Sequence, residues 1–162
     1  TVEVKTNSIL IADKDEIWNT AVSDNFFDST SIVPNSVVTT MYDTYPTIVR
    51  NTNANYEEFS VSASFYPTDE NGCAVMVDDD RQRIEYSDKA KMFLRNGKAK
   101  IAKSMDGRCA LTYVTQPPTD SADGDYRNRK IAFTLTEIGH IDDEECLYDC
   151  GIINVPSQWW NR

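Results

Sequence analysis

The chain has 162 residues, 40% hydrophobic and 26% charged, with 16 Lys plus Arg against 26 Asp plus Glu for a net charge of −10. A chain of this size buries roughly 68–70% of its unfolded surface, so one hydrophobic core suffices, and the ordinary composition argues against disorder throughout. The acidity works against affinity drawn from nucleic-acid phosphates, no run approaches the ~18 apolar residues of a membrane span, and the first residues show no apolar stretch of a secretory signal.

Strand periodicity dominates. Residues 8–12 and 16–18 flank Asp13-Lys14-Asp15, the pattern of a first hairpin. Residues 36–41 and 47–50 read as extended, interrupted at Tyr45-Pro46, and 51–55 as a turn. From Phe59 to Phe65, Phe59, Val61, Ala63 and Phe65 alternate with three serines, which predicts a half-buried antiparallel strand. Asp78, Asp79 and Asp80 supply an acidic helix start, Tyr86, Ala90, Phe93 and Leu94 form one apolar stripe, and Asn96-Gly97 supplies a stop. The spacing predicts one helix over about 80–96, lying against a sheet.

After the helix, Asp106-Gly107 joins two extended runs, as a two-residue hairpin turn does. That turn would pair Met105 with Arg108, Ala102 with Leu111 and Ile101 with Thr112. Pro117-Pro118 should end the second strand, and residues 119–128 read as a polar loop. A last strand covers 129–138, closed by Gly139. The chain thus divides into a β-rich domain with one helix over 1–140 and an acidic, aromatic tail over 141–162. The tail carries Asp142, Asp143, Glu144, Glu145 and Asp149 against Arg162, together with Tyr148, Trp159 and Trp160.

Few residues have the grouping that chemistry requires. His140 is the only histidine, and no nucleophile or phosphate-binding motif is present. His140, Cys146 and Cys150 have zinc-ligand chemistry but lack the usual second pair, so free thiols are expected for these and for Cys73; Cys109, alternating in a strand, should pack as a small apolar residue. Asp78 to Asp80, with Asp69 and Glu70 nearby, have the chemistry for Ca²⁺ or Mg²⁺, yet an acidic helix N-terminus accounts for them. No catalytic residue, metal or cofactor is therefore expected. Trp18, Trp159 and Trp160 suit either a sugar-stacking surface or a protein-docking anchor, and the paired aromatics in an acidic segment favour protein. The acidic residues would complement a basic neighbour.

The chain resembles a family of bacteriophage tail and baseplate proteins from phages of Gram-positive bacteria. The resemblance is carried by Tyr45-Pro46, Ile48-Val49 and Asn55-Tyr56; by Phe93-Leu94-Arg95-Asn96-Gly97-Lys98-Ala99-Lys100-Ile101; by Met105-Asp106-Gly107-Arg108; by Thr136-Glu137-Ile138-Gly139; and by Leu147-Tyr148 before Gly151-Ile152-Ile153. It spans about residues 40–155. The family usually has an aromatic after the Asp-Gly-Arg turn, where this chain has Cys109-Ala110-Leu111. The resemblance implies a tail-tube-like fold, mainly antiparallel β, arranged as a β-sandwich or split barrel with one flanking helix. It also implies a structural role in the virion tail: a homo-oligomeric ring contacting other tail or baseplate subunits, assembled in the host cytoplasm. Carbohydrate or receptor binding and metal-dependent hydrolysis are the rival functions.

Overall fold

The computed structural model describes residues 8–20, 22–23, 28–33, 35–38, 45–50, 54–67, 69, 73, 75, 77–122 and 129–154. The architecture is mainly antiparallel β. Its strands are β1 (Leu10–Ala12), β2 (Ile17–Asn19), β3 (Val22–Ser23), β4 (Asp28–Ile32), β5 (Asn35–Val38), β6 (Thr47–Arg50), β7 (Tyr56–Ser64), β8 (Lys100–Lys103), β9 (Cys109–Ala122) and β10 (Arg129–Gly139), with helices α1 (Asp80–Arg95) and α2 (Glu144–Asp149). An eight-stranded sheet runs β2-β1-β8-β9-β10-β7-β3, with β4 following β3 along the same edge of β7. β5 and β6 form a separate two-stranded ribbon.

The central strands explain themselves by alternation. β10 pairs with β7 so that Ile131, Phe133 and Leu135 face Ala63, Val61 and Phe59, and all six are buried on one side of the sheet. α1 covers that side. It starts where the Asp79 carboxylate accepts from the Arg81 N–H and stops at Asn96, after which Gly97 takes a φ of 70°. Ala90, Phe93 and Leu94 point from the helix into the core, each large side chain contributing about 2 kcal/mol by leaving water. Trp18 of β2 packs beneath the helix, its ring 4.9 Å from Tyr86, 5.8 Å from Phe93 and 6.3 Å from Phe65 between centroids.

The β8–β9 hairpin corrects the expected register by one residue. Ala102 faces Ala110 and Ile101 faces Leu111, rather than Leu111 and Thr112. The loop has three residues, Met105, Asp106 and Gly107, closed by Ser104 N–H donating to the Arg108 carbonyl at 2.9 Å. Gly107 takes a φ of 90°, as expected of the left-handed residue that ends a three-residue hairpin loop. Asp106 accepts from both Arg108 N–H and Arg108 Nε, so this side chain reinforces the longer loop.

β9 also runs through Pro117-Pro118 instead of ending there. Gln116 faces Thr134 and Thr119 faces Ala132, so the two prolines lie opposite the single residue Phe133, in a bulge. A bulge needs fewer ladder N–H groups, and β8 reaches only to Lys100 opposite Thr112, so among the described residues the other side of β9 has no strand partner at the prolines.

The far face of the sheet carries α2, six residues started by Asp143, whose carboxylate accepts from Glu145 N–H. Gly139 is where it sits. A Cβ there would stand 3.1 Å from the Cys146 Cβ and 3.5 Å from Leu111 Cδ2, so glycine permits the close approach. Gly151, at a φ of 75°, and Ile152 N–H donating to the Leu147 carbonyl close the helix.

Candidate functional site

The sequence candidates separate into three groups. Asp142, Asp143, Glu144, Glu145 and Tyr148 are brought together around the start of α2, with Asp142, Asp143 and Glu145 exposed and Glu144 and Tyr148 half-buried. Trp159 and Trp160 lie outside the described residues. His140 is exposed just after β10, while Asp79 and Asp80 are engaged by the helix they start, Asp80 through an ion pair with Arg83.

All four cysteines are free thiols. Cys146 Sγ lies 3.4 Å from the Asp143 carboxylate. Among the described residues no three His, Cys, Asp or Glu side chains are grouped to hold a metal ion. Cys109 corrects an expectation: it is exposed rather than packed. Ala110, Leu111 and Thr112 are all buried, whereas Cys109 lies at the hairpin end opposite exposed Lys103, beyond the cover that Leu111 receives on the same face.

Sequence reading missed a charged cluster at the base of α1. Lys100 is fully buried, its Nζ 4.1 Å from the centroid of the Phe93 ring, 2.8 Å from Asn96 Oδ1 and 3.7 Å from Asp13 Oδ2. Asp13 also accepts at 2.8 Å from the N–H groups of Asp15 and Glu16 and at 2.7 Å from Asn96 Nδ2. Burial opposes the Asp13 charge, but these donors and Lys100 hold its carboxyl below the usual range. Burial pulls the Lys100 ammonium below its ordinary value against the attraction of Asp13. The cluster ties the β1–β2 turn to the end of α1, and Lys98 adds an ion pair to Asp15. It is saturated with internal partners, which is the chemistry of a fastener.

The surfaces left over are apolar and strand-like. In the ribbon, Val38, Ile48 and Val49 are 46%, 69% and 43% exposed. β2 forms one edge of the main sheet and presents Ile17; β3 and β4 form the other. A groove of about 430 Å³ lies between the end of α1 and β9, lined by Leu94, Arg95, Tyr113, Val114, Pro117 and Pro118 among others. It shares Gly97, Lys98 and Tyr113 with a second cavity of about 380 Å³ bordered by Lys14, Ile138 and Ile152.

No family model matches this chain, and no curated protein matches it. Two solved structures are similar in shape. One is a chain from the tail of an empty gene transfer agent particle with C6 symmetry, at 8% identity and a TM-score of 0.47, covering 86% of this chain and 96% of that one. The other is a chain from the virion of a native gene transfer agent particle, at 10% identity and a TM-score of 0.45, covering 85% and 96%.

Proposed function

We propose that this chain is a structural subunit of a phage or phage-derived tail, at its tip or baseplate, which acts by assembling with copies of itself into a ring and with other tail subunits. The observation that carries this reading is the ribbon of β5 and β6, which leaves Ile48, Val49 and Val38 exposed, together with a main sheet whose edge strands pair with no further strand among the described residues. Unpaired strands with apolar side chains favour addition of a neighbouring strand. The sequence resemblance supports the same role. Asp142, Asp143, Glu144 and Glu145 supply an acidic contact for a basic neighbour.

Neither rival gains a specific observation. Trp18, one of the three tryptophans available to stack on sugar, is packed against Phe65, Tyr86 and Phe93. Native mass spectrometry of the full chain, alone and mixed with tail proteins, tests the assembly role. Oligomers or tail complexes are expected; a strict monomer that binds no tail component overturns the reading. The acidic contact predicts complexes that weaken as salt rises, and salt-insensitive complexes would remove that contact from the account.

A further inference from the structure

Lys100 is a buried amine held against a carboxamide. Gly97, at a φ of 70°, turns the chain from the end of α1 into β8, whose first residue is Lys100, so Lys100 comes back to the side chain of Asn96. Its Nζ lies 2.8 Å from Asn96 Oδ1. The Lys100 and Asp13 side chains are 0% and 1% exposed, and the Phe93 ring covers Nζ at 4.1 Å. An ammonium stripped of water gives up its proton more readily and becomes a nucleophile, and burial pulls Lys100 in that direction.

The surrounding groups are placed for amide exchange. Lys98 N–H donates at 3.0 Å to Asn96 Oδ1, the oxygen on which negative charge develops when an amine adds to the carboxamide carbon. Asp13 Oδ2 lies 3.7 Å from Lys100 Nζ and accepts at 2.7 Å from Asn96 Nδ2. One carboxylate oxygen thus stands between the nitrogen that would attack and the nitrogen that would leave, which is the position of a proton relay. Asn96 itself is exposed, so a released ammonium has a way to solvent.

We propose that, once the chain has folded, Lys100 and Asn96 join in an isopeptide bond with Asp13 relaying protons. The Lys100 Nζ–Asn96 Cγ bond forms and the Asn96 Cγ–Nδ2 bond breaks. Lys100 enters as an ammonium. Of its three protons, one stays on the new amide and two pass by way of Asp13 to Nδ2, which leaves with its own two as ammonium. Asp13 ends as the carboxylate it began as, and no oxidant or further reactant is consumed. The fold supplies the drive by holding the two groups in contact, and the product replaces a buried charge with a neutral amide. One link of the fastener at the base of α1 becomes covalent. The inference concerns the isolated chain and is independent of the tail assignment.

Mass spectrometry of the full chain, folded and incubated at neutral pH, tests it. The intact chain is expected to be lighter than its sequence mass by one ammonia, and trypsin should release a branched product in which residues 96–98 remain joined to residues 99–103 through Asn96 and Lys100. Asn96-Gly97 offers a rival loss of the same mass, because the Gly97 nitrogen can close a succinimide on the Asn96 carboxamide. That product leaves Lys100 open to trypsin and persists in Lys100→Arg. Asp13→Asn should slow the appearance of the branched product by about 100-fold or more, with Trp18 emission reporting that the variant is folded. The branched product is read in the parent chain, so the existence of the bond is decided whether or not a variant folds. A parent that stays at its sequence mass overturns the proposal. So does an ammonia loss that persists in Lys100→Arg, or a branched product that appears as fast in Asp13→Asn as in the parent.

Discussion

In β7 and β10 the residues Phe59, Val61, Ile131 and Leu135 alternate into a core and are almost wholly buried, whereas in the β5–β6 ribbon Ile48 and Val49 lie open to solvent. The side chains are of the same chemical kind, and both regions are antiparallel pairs. The difference is the cover that α1 and Trp18 provide over the first pair. Apolar character therefore has two meanings in one chain: cohesion where a helix lies on the strands, and unmet contact where none does.

The contrast is broken most severely from the covered side. Leu135→Ala should cost about 3 kcal/mol, through lost transfer energy and the cavity left in a core that contains Phe59 and Phe133, read as a lower urea midpoint at unchanged slope. Next comes the fastening of α1. Asp13→Ala leaves Lys100 buried without its carboxylate and should cost about 3 kcal/mol at neutral pH, slightly less than the core truncation because Asn96 remains as a partner. Because the folded Asp13 carboxyl titrates below its unfolded value, its contribution is present above about pH 4 and disappears as the pH falls through the folded value. Urea midpoints measured from pH 7 to pH 2 should fall less in Asp13→Ala than in the parent, the remainder coming from carboxylates such as Asp120 that are also held below their ordinary value.

Two smaller effects sharpen the comparison. Gly107→Ala forces a side chain into a φ of 90° and should cost about 1 kcal/mol without altering the core strands, checked by thermal unfolding and by retained Trp18 emission. Ile48→Ser should change the stability of the isolated chain by no more than about 0.5 kcal/mol, since the residue is 69% exposed, yet it should reduce the oligomers or tail complexes seen by native mass spectrometry. A large destabilisation by Ile48→Ser would show that the ribbon already has cover.

Elements governed by local periodicity were readable from the residues alone. The strand around Phe59 to Phe65, the final strand and the α1 boundaries all follow from alternation, an acidic start and Asn96-Gly97. The features that escaped depend on partners distant in sequence. Asp106-Gly107 suits loops of two or three residues, and the choice of three moved the pairing by one residue and left Cys109 opposite exposed Lys103 at the hairpin end. Pro117-Pro118 is tolerated inside β9 because the strand bulges against β10 and the ladder to β8 extends no further than Thr112, neither of which is written locally. Lys100 looks like a surface residue until Asp13 and Asn96 arrive to satisfy it. Of the candidate contact residues, the acidic group around the α2 start was legible as a cluster, since four of its members are adjacent in the chain.

The pairing of β1 with β8 has a consequence in time. Leu10 lies opposite Lys103 and Ile11 opposite Ala102, so this join closes a loop containing most of the chain. The β8–β9 and β9–β10 joins close much shorter loops and can form first, with their entropy cost correspondingly lower. The order expected is a nucleus of β8, β9 and β10, with the β1–β2 hairpin docking late and Trp18 reaching its site under α1 only then. Dependence on such distant joins sets folding in the millisecond-to-second range rather than the microseconds of helical bundles, roughly, and makes Trp18 emission a clock for the final step.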